Sequence, residues 1–93
     1  MPAKKAKSAA DQFKDATKRV EKLSSRPSND QLLDLYAFYK QATAGDVSGD
    51  RPGMFDLKGR AKYDAWAKRK GTSKDDAMKK YVALVDKLEA EHG

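Results

Sequence analysis

Tyrosines and lysines recur at helical spacing in the middle of the chain. Tyr36 and Lys40 are four residues apart, Lys58 and Lys62 have the same spacing, and Tyr39 adjoins the first pair. Residues four apart lie one turn apart on the same face of a helix. Lysine ammonium groups donate to phosphate, and tyrosine offers a flat ring and a hydroxyl. If the two segments pack together, they could bind a ligand that is part phosphate and part flat base.

The same pattern also has a purely structural interpretation. An aromatic stripe on a helix usually belongs to the core, and Phe38 and Trp66 are candidates for such burial. Lysines four residues apart usually form a solvated helix face. On spacing alone, the structural interpretation is favoured.

Catalysis is poorly supported by the residue types. The chain has no cysteine, and its single histidine, His92, is next to the last residue. Its serines fall mostly at expected helix caps and in loops, and no glycine-rich phosphate loop of the P-loop type occurs. The sequence therefore predicts no enzyme, no catalytic residue, no bound metal and no cofactor.

Length and charge indicate one small domain with a basic N-terminus. The chain has 93 residues and a net charge of +6. Lys4, Lys5 and Lys7 precede the first acidic residue, Asp11. We predict a disordered basic tail over residues 1–10 and a helical domain over residues 11–93. No apolar run long enough to span a bilayer and no secretory signal are present, so we expect a cytoplasmic protein.

Four amphipathic helices are predicted to position the tyrosines and lysines. The first carries an apolar stripe at steps of three and four: Phe13, Ala16, Val20 and Leu23. The second begins with a capping box formed by Ser28 and Gln31 and ends near Gly45.

A long loop, rich in glycine and aspartate, is expected over residues 45–57. The third helix is predicted from Lys58 to Lys70, and Gly71 is expected to stop it. Thr72 or Ser73 caps the fourth helix. No segment alternates as a half-buried strand would, so the sequence predicts an all-α four-helix bundle whose topology it leaves open.

Three motifs closely resemble the acyl-CoA-binding protein family: YKQATAGD, RPGMFDLKGRAKYDAW and KGTSKDDAM. The resemblance extends from about Phe13 to about Leu88. It implies an up-down-down-up bundle in which the long loop joins helices two and three. It also implies a non-catalytic intracellular carrier that binds medium- and long-chain acyl-CoA esters one to one, buffering and transporting them. Implied partners are long-chain acyl-CoA and acyl-CoA-using enzymes, with no nucleic acid and at most transient membrane contact, and the protein is expected to be a monomer.

The resemblance also implies a role for individual residues. Tyr36, Lys40 and Lys62 would hold the 3′-phosphate, and Tyr39 would lie against the adenine. Lys58 would line the site on the third helix, and Tyr81 would close the head-group pocket. The acyl chain would lie in a groove formed by Ala16, Leu32, Leu33, Leu57 and Ala61. From the sequence alone, ordinary interhelix packing is the favoured interpretation of these five residues.

Two positions depart from the family pattern. Many members have a lysine on the first helix that reaches toward the head group, and here that position is Glu21. Lys18 and Lys22 flank it and are candidates to replace it. Tyr63 stands where a tryptophan is common.

The sequence also leaves two other classes of function open. The basic N-terminus and the lysines and arginines between residues 57 and 70 fit a small helical nucleic-acid-binding module. Against it, no Arg/Asn pairs suited to reading bases are evident. A helical protein-interaction domain is the other alternative.

Overall fold

The computed structural model describes residues 8–93, which form four α-helices. These are Ala9–Arg19 (α1), Asn29–Thr43 (α2), Leu57–Ala67 (α3) and Lys74–His92 (α4), and a short 3-10 turn, Val20–Lys22, follows α1. No strand occurs in this part of the chain. The predicted all-α fold is confirmed. None of the helices in residues 8–93 is both long and apolar enough to cross a membrane.

Each helix is preceded by a polar residue whose side chain accepts a hydrogen bond from the backbone of the first turn. These N-cap residues are Ser8, Ser28, Asp56 and Ser73. The capping box of Ser28 and Gln31 is present in both directions, at 3.1 and 3.0 Å. Because α1 begins at Ala9, the helical part starts two residues before the predicted boundary at residue 11. Residues 1–7 of the predicted tail lie outside the described residues.

Contacts at the helix ends establish the chain direction. Gln31 at the start of α2 donates to Glu91 at the end of α4, and Gln41 donates to the Thr72 carbonyl just before α4. These two helices are therefore antiparallel. Phe13 in the first half of α1 packs on Tyr81 in the first half of α4, and Arg19 at the end of α1 pairs with Asp86 and Glu89 further along α4. Helices α1 and α4 therefore run in parallel.

Helices α2 and α3 run in the same direction. Leu32 near the start of α2 and Leu57 at the start of α3 line one groove, while Lys40 near the end of α2 lies over Trp66 near the end of α3. The arrangement is up-down-down-up, as the resemblance implies. Because the two helices are parallel, the chain must run from the end of α2 back to the level of its start before α3 can begin. The loop between α2 and α3 is therefore long.

The core lies where α1, α2 and α4 meet. Its buried members are Phe13, Ala16, Leu35, Phe38, Ala42, Ala77, Tyr81, Val85 and Leu88. Helix α3 packs against α2 and contacts neither α1 nor α4 within the described residues. The α2–α3 pair therefore has an open side, since no further helix covers it.

The long loop is fastened to α3 by side chains of that helix. The Trp66 indole N–H donates to the Gly45 carbonyl at 2.8 Å, and the Tyr63 hydroxyl donates to the Gly49 carbonyl at 2.9 Å. Arg51 makes two hydrogen bonds to Asp64, at 2.9 and 2.7 Å. The tyrosine that stands at a common tryptophan position thus holds the loop in place.

The predicted end of the third helix was wrong by three residues. Helix α3 ends at Ala67, and residues 68–71 form turns in which Arg69 N–H donates to the Trp66 carbonyl. Gly71 follows with φ +93°, a left-handed conformation that glycine adopts readily. The chain thereby reverses toward Ser73, which is the cap of α4; Thr72 is not.

Candidate functional site

An open groove separates the first half of α2 from the first half of α3. Its volume is about 490 Å³, which is in the range of small-molecule sites. Its lining consists of Arg26, Asn29, Leu32, Leu33, Tyr36, Leu57, Lys58, Ala61 and Lys62. We call this the α2–α3 groove.

The apolar part of the groove comes from both helices. Leu32 and Leu33 lie on α2, and Leu57 and Ala61 lie one turn apart on α3. Leu57 is 74% exposed, although leucine is usually buried. An apolar surface left open between two helices can bury a flexible hydrocarbon chain.

Cations stand on the rim of this apolar surface. Lys58 and Lys62 occupy one face of α3, and the Lys62 ammonium lies 5.5 Å from the centre of the Tyr36 ring. On the α2 side, an Arg26 Nη1 group donates to Asn29 Oδ1 at 3.1 Å. Ammonium and guanidinium groups attract phosphate, and the ring adds a flat surface. The groove therefore offers anion binding and apolar burial side by side.

A second hollow lies on the other side of Tyr36. It has a volume of about 490 Å³ and is lined by Thr17, Val20, Glu21, Leu35, Tyr36, Tyr39 and Tyr81. We call it the α1-side hollow. Tyr36 forms a wall of both depressions, so one ligand lying over Tyr36 could contact both.

Aromatic rings form the floor of the α1-side hollow. Tyr81 packs edge-on against Phe13 with ring centres 5.0 Å apart, and Tyr39 lies 6.4 Å from Tyr81. Burial raises the pKa of the Tyr81 hydroxyl, and Tyr39 and Glu21 raise it further. Tyr81 therefore remains a neutral hydroxyl at physiological pH, able to donate a hydrogen bond.

Among the described residues that line the α1-side hollow, Glu21 is the one that carries a charge. Lys18 and Lys22 are both exposed and do not line the hollow. A carboxylate at this place disfavours an anionic ligand, since like charges repel. The replacement of the family lysine by Lys18 or Lys22 stays a prediction.

Four predicted site residues lie outside the α2–α3 groove. Tyr39 and Tyr81 belong to the α1-side hollow. Lys40 is one turn from Tyr36, but its ammonium lies over the buried Trp66 ring, 4.8 Å from its centre. Ala16 has no exposed surface and belongs to the core, so it does not line the groove.

The remaining predicted residues do come together in the groove: Tyr36, Lys58, Lys62, Leu32, Leu33, Leu57 and Ala61. Sequence reasoning missed Arg26 and Asn29 there, and Thr17, Val20 and Leu35 in the α1-side hollow. Arg26 lies in a connection that has no periodic pattern. Once α2 and α3 are taken as parallel, however, residues just before and at the start of α2 must lie near the start of α3.

Among residues 8–93, no group of histidine, aspartate and glutamate is arranged to hold a metal ion. The charged, aromatic and apolar side chains that line the two depressions offer recognition by charge, ring surface and apolar burial.

Comparison with known proteins gives a consistent result. The family model described as "Acyl CoA binding protein" matches residues 10–85. Acyl-CoA-binding protein homolog 1 of Caenorhabditis elegans is 58% identical over 81 residues, which cover 87% of this chain and 94% of that protein. The acyl-CoA-binding protein of Saccharomyces cerevisiae is 50% identical over 80 residues, 86% of this chain and 92% of the relative.

Solved structures agree in fold. The crystal structure of Oryza sativa acyl-CoA-binding protein 2 superposes with a TM-score of 0.85 at 41% identity, covering 89% of this chain and 92% of that one. The solution structure of the yeast acyl-coenzyme A binding protein gives a TM-score of 0.69 at 50% identity, covering 86% and 93%.

Proposed function

The chain belongs to the acyl-CoA-binding protein family, and we propose that it is a carrier that binds medium- and long-chain acyl-CoA esters one to one. It buffers and transports these esters and shields their acyl chains from water. The observation that carries the proposal is the α2–α3 groove, in which Lys58 and Lys62 border an apolar surface. Acyl-CoA has the same division into a polyanionic head and an apolar tail.

In this proposal, the head group lies over Tyr36. Lys62, Tyr36 and Lys40 hold the 3′-phosphate, and the 5.5 Å approach of the Lys62 ammonium to the Tyr36 ring supports the first two. Lys40 would have to leave the Trp66 ring to join them. Tyr39 lies against the adenine, Tyr81 closes the α1-side hollow, and Lys58 lines the α3 side.

The acyl chain lies along Leu32, Leu33, Leu57 and Ala61. Each methylene taken out of water contributes about 0.8 kcal/mol. A palmitoyl chain therefore adds a large favourable term even when only part of it is covered. The small side chain of Ala61 leaves space between the two helices. Ala16 is not needed as a contact.

A carrier of this kind releases the acyl-CoA ester chemically unchanged. The protein therefore performs no reaction and needs no cofactor. It works as a cytoplasmic monomer that supplies acyl-CoA-using enzymes. No observation favours the nucleic-acid alternative.

Titration calorimetry tests the proposal with four ligands: palmitoyl-CoA, free palmitate, free coenzyme A and duplex DNA. We expect one-to-one binding of palmitoyl-CoA that is far tighter than binding of palmitate or coenzyme A, because head and tail are recognised together. Equal affinity for palmitate and palmitoyl-CoA would rule out the carrier, and tight DNA binding would favour the alternative.

A further inference from the structure

Three large apolar side chains are exposed together just before and at the start of α3. Met54 is 66% exposed, Phe55 95% and Leu57 74%. Single exposed apolar side chains are ordinary, but a contiguous group of them marks an interaction surface. We call Met54, Phe55 and Leu57 the apolar tip.

Hydrogen bonds hold the apolar tip in an outward position. Asp56 N–H donates to the Gly53 carbonyl at 2.9 Å, which closes a turn with Met54 and Phe55 at its two central positions. The Asp56 side chain then accepts from Gly59 N–H at 2.9 Å and starts α3. The turn is therefore fixed to the helix, and its apolar side chains do not fold back onto the bundle.

Positive charge borders the apolar tip. Lys58 and Lys62 follow it on α3, and Arg26 faces Lys58 across the groove. Two carboxylates close to the tip in the sequence are engaged: Asp56 caps α3, and Asp64 is paired with Arg51. Asp50 is a further exposed carboxylate in the loop. The chain as a whole carries +6.

We propose that the apolar tip docks reversibly on a lipid bilayer with anionic head groups. Met54 and Phe55 enter the interfacial region, and Lys58 and Lys62 lie against the head groups. A second copy of the chain is a poorer occupant, since it would bring the same lysines and another net +6 to the surface.

The docking proposal goes beyond the proposed function, because no step of it uses bound acyl-CoA. It also has a consequence for that function. Leu57 belongs both to the apolar tip and to the lining of the α2–α3 groove. A docked protein would thus hold the open side of the groove next to the bilayer, where acyl chains reside.

A site-specific fluorophore tests insertion directly. The chain has no cysteine, so Phe55→Cys gives a single point for an environment-sensitive label. Lys87→Cys is the matched control, since Lys87 is exposed on α4, which does not contact α3. On phosphatidylcholine vesicles that contain phosphatidylserine, we expect a blue shift and brighter emission at position 55 and no change at position 87.

Vesicle co-sedimentation of the full chain measures the contribution of each group. The Met54→Ser/Phe55→Ser double variant should bind phosphatidylserine vesicles at least about tenfold more weakly, because two apolar side chains are lost. Lys58→Gln should bind about fivefold more weakly, whereas Lys87→Gln should bind as the wild type does. Neither Met54 nor Phe55 lines the groove, so the double variant should keep its melting temperature and its affinity for palmitoyl-CoA in solution.

Three results would overturn the docking proposal. One is an unshifted label at position 55, another is equal binding of wild type and double variant to anionic vesicles, and the third is equal binding to neutral and anionic vesicles. A dimer in sedimentation equilibrium that the double variant abolishes would identify a second copy as the occupant instead. Failure of wild-type palmitoyl-CoA binding in solution would count against the carrier alone, since the vesicle assays contain no acyl-CoA.

Discussion

Lys62 carries the most specific expectation of any single residue. Its ammonium stands over the Tyr36 ring at the rim of the α2–α3 groove, where we place the 3′-phosphate. A hydrogen bond to a charged group contributes roughly 1.5 to 3 kcal/mol. We therefore expect Lys62→Ala to weaken palmitoyl-CoA binding about ten- to a hundredfold in calorimetry, and to weaken binding of the 3′-dephospho analogue much less.

The control for this variant is Lys87→Ala, which removes a charge from α4. It should leave both affinities unchanged, and thermal melts should show that neither variant loses much stability, because exposed lysines contribute little. An equal loss with both ligands would mean that Lys62 does not read the 3′-phosphate.

Replacing Glu21 is expected to strengthen acyl-CoA binding, whereas replacing Lys62 is expected to weaken it. Glu21 is a charged residue in the lining of the α1-side hollow, beside the tyrosines over which the head group would lie. We expect Glu21→Lys to bind acyl-CoA several-fold more tightly at low salt, with Glu21→Gln intermediate, because repulsion is first removed and then reversed. The gain should shrink as salt rises, owing to screening. Unchanged or weaker binding by Glu21→Lys across a calorimetric salt series would place the head group away from this hollow.

Single residues also show the limit of sequence reasoning. Periodicity marks Ala16 as a member of an apolar stripe, which holds equally for a core residue and for a groove residue; the structure places it in the core. Arg26 has no periodic signal, since it precedes Pro27 in a connection between helices. Whether a side chain faces a groove depends on how its helix packs, and spacing along one helix does not contain that information.

At the scale of the helices, local chemistry was the most predictable. The capping box of Ser28 and Gln31 was predicted from two residues at a fixed separation, and it is confirmed. The end of α3 was not predicted correctly, because Lys68 and Arg69 are good helix formers. The helix ends earlier because the chain turns toward Gly71. The Gly71 N–H donates to the Asp46 carboxylate at 2.8 Å, which fixes this turn.

Asp46 ties the end of α2 to the connection between α3 and α4. The hydrogen bond from Gly71 N–H lowers the pKa of this carboxyl most, followed by the one from the Gln41 amide and by the charge of Lys70. A carboxyl with a lowered native pKa stabilises the fold above its ordinary value of 3.8, and the contribution is lost as pH falls through the lowered native value.

Asp46→Asn should therefore be less stable than the wild type at pH 7, and the difference should shrink below about pH 3.8. Thermal melts of both proteins from pH 7 to pH 2 measure this. Asp50→Asn, which alters an exposed carboxylate in the same loop, is the control. A stability difference that stays constant over the whole pH range would show that the charge of Asp46 does not stabilise the fold.

At the scale of the whole molecule, the site exists because one of the four helices lies outside the shared core. Three helices enclose the core, and α3 stands outside it against α2 alone. Such an arrangement leaves a groove along one helix pair without opening the core. The net charge of +6 adds a long-range attraction for a polyanionic ligand, which raises the rate of encounter at low salt.

The class of fold and most of the groove could be predicted, because each rests on patterns within one segment or on the family resemblance. Leu32, Leu33, Tyr36, Leu57, Lys58, Ala61 and Lys62 were named as site residues and do lie together. The division of the site into a groove and a separate hollow was not foreseen. It arises because the Tyr36 ring stands between them: the groove lies between α2 and α3 on one side, and the hollow is lined from α1, α2 and α4 on the other.

The measurement that tests the central claim most directly is an NMR titration of the ¹⁵N-labelled full chain with palmitoyl-CoA. If the ligand lies in the α2–α3 groove and over Tyr36, the largest amide shifts should come from Leu32, Tyr36, Ala61 and Lys62. Amides near Lys87 on the outer part of α4 should barely move. Saturation at one equivalent with this pattern is the predicted result. Shifts concentrated on α4 around Lys87, with the groove amides unmoved, would contradict the account.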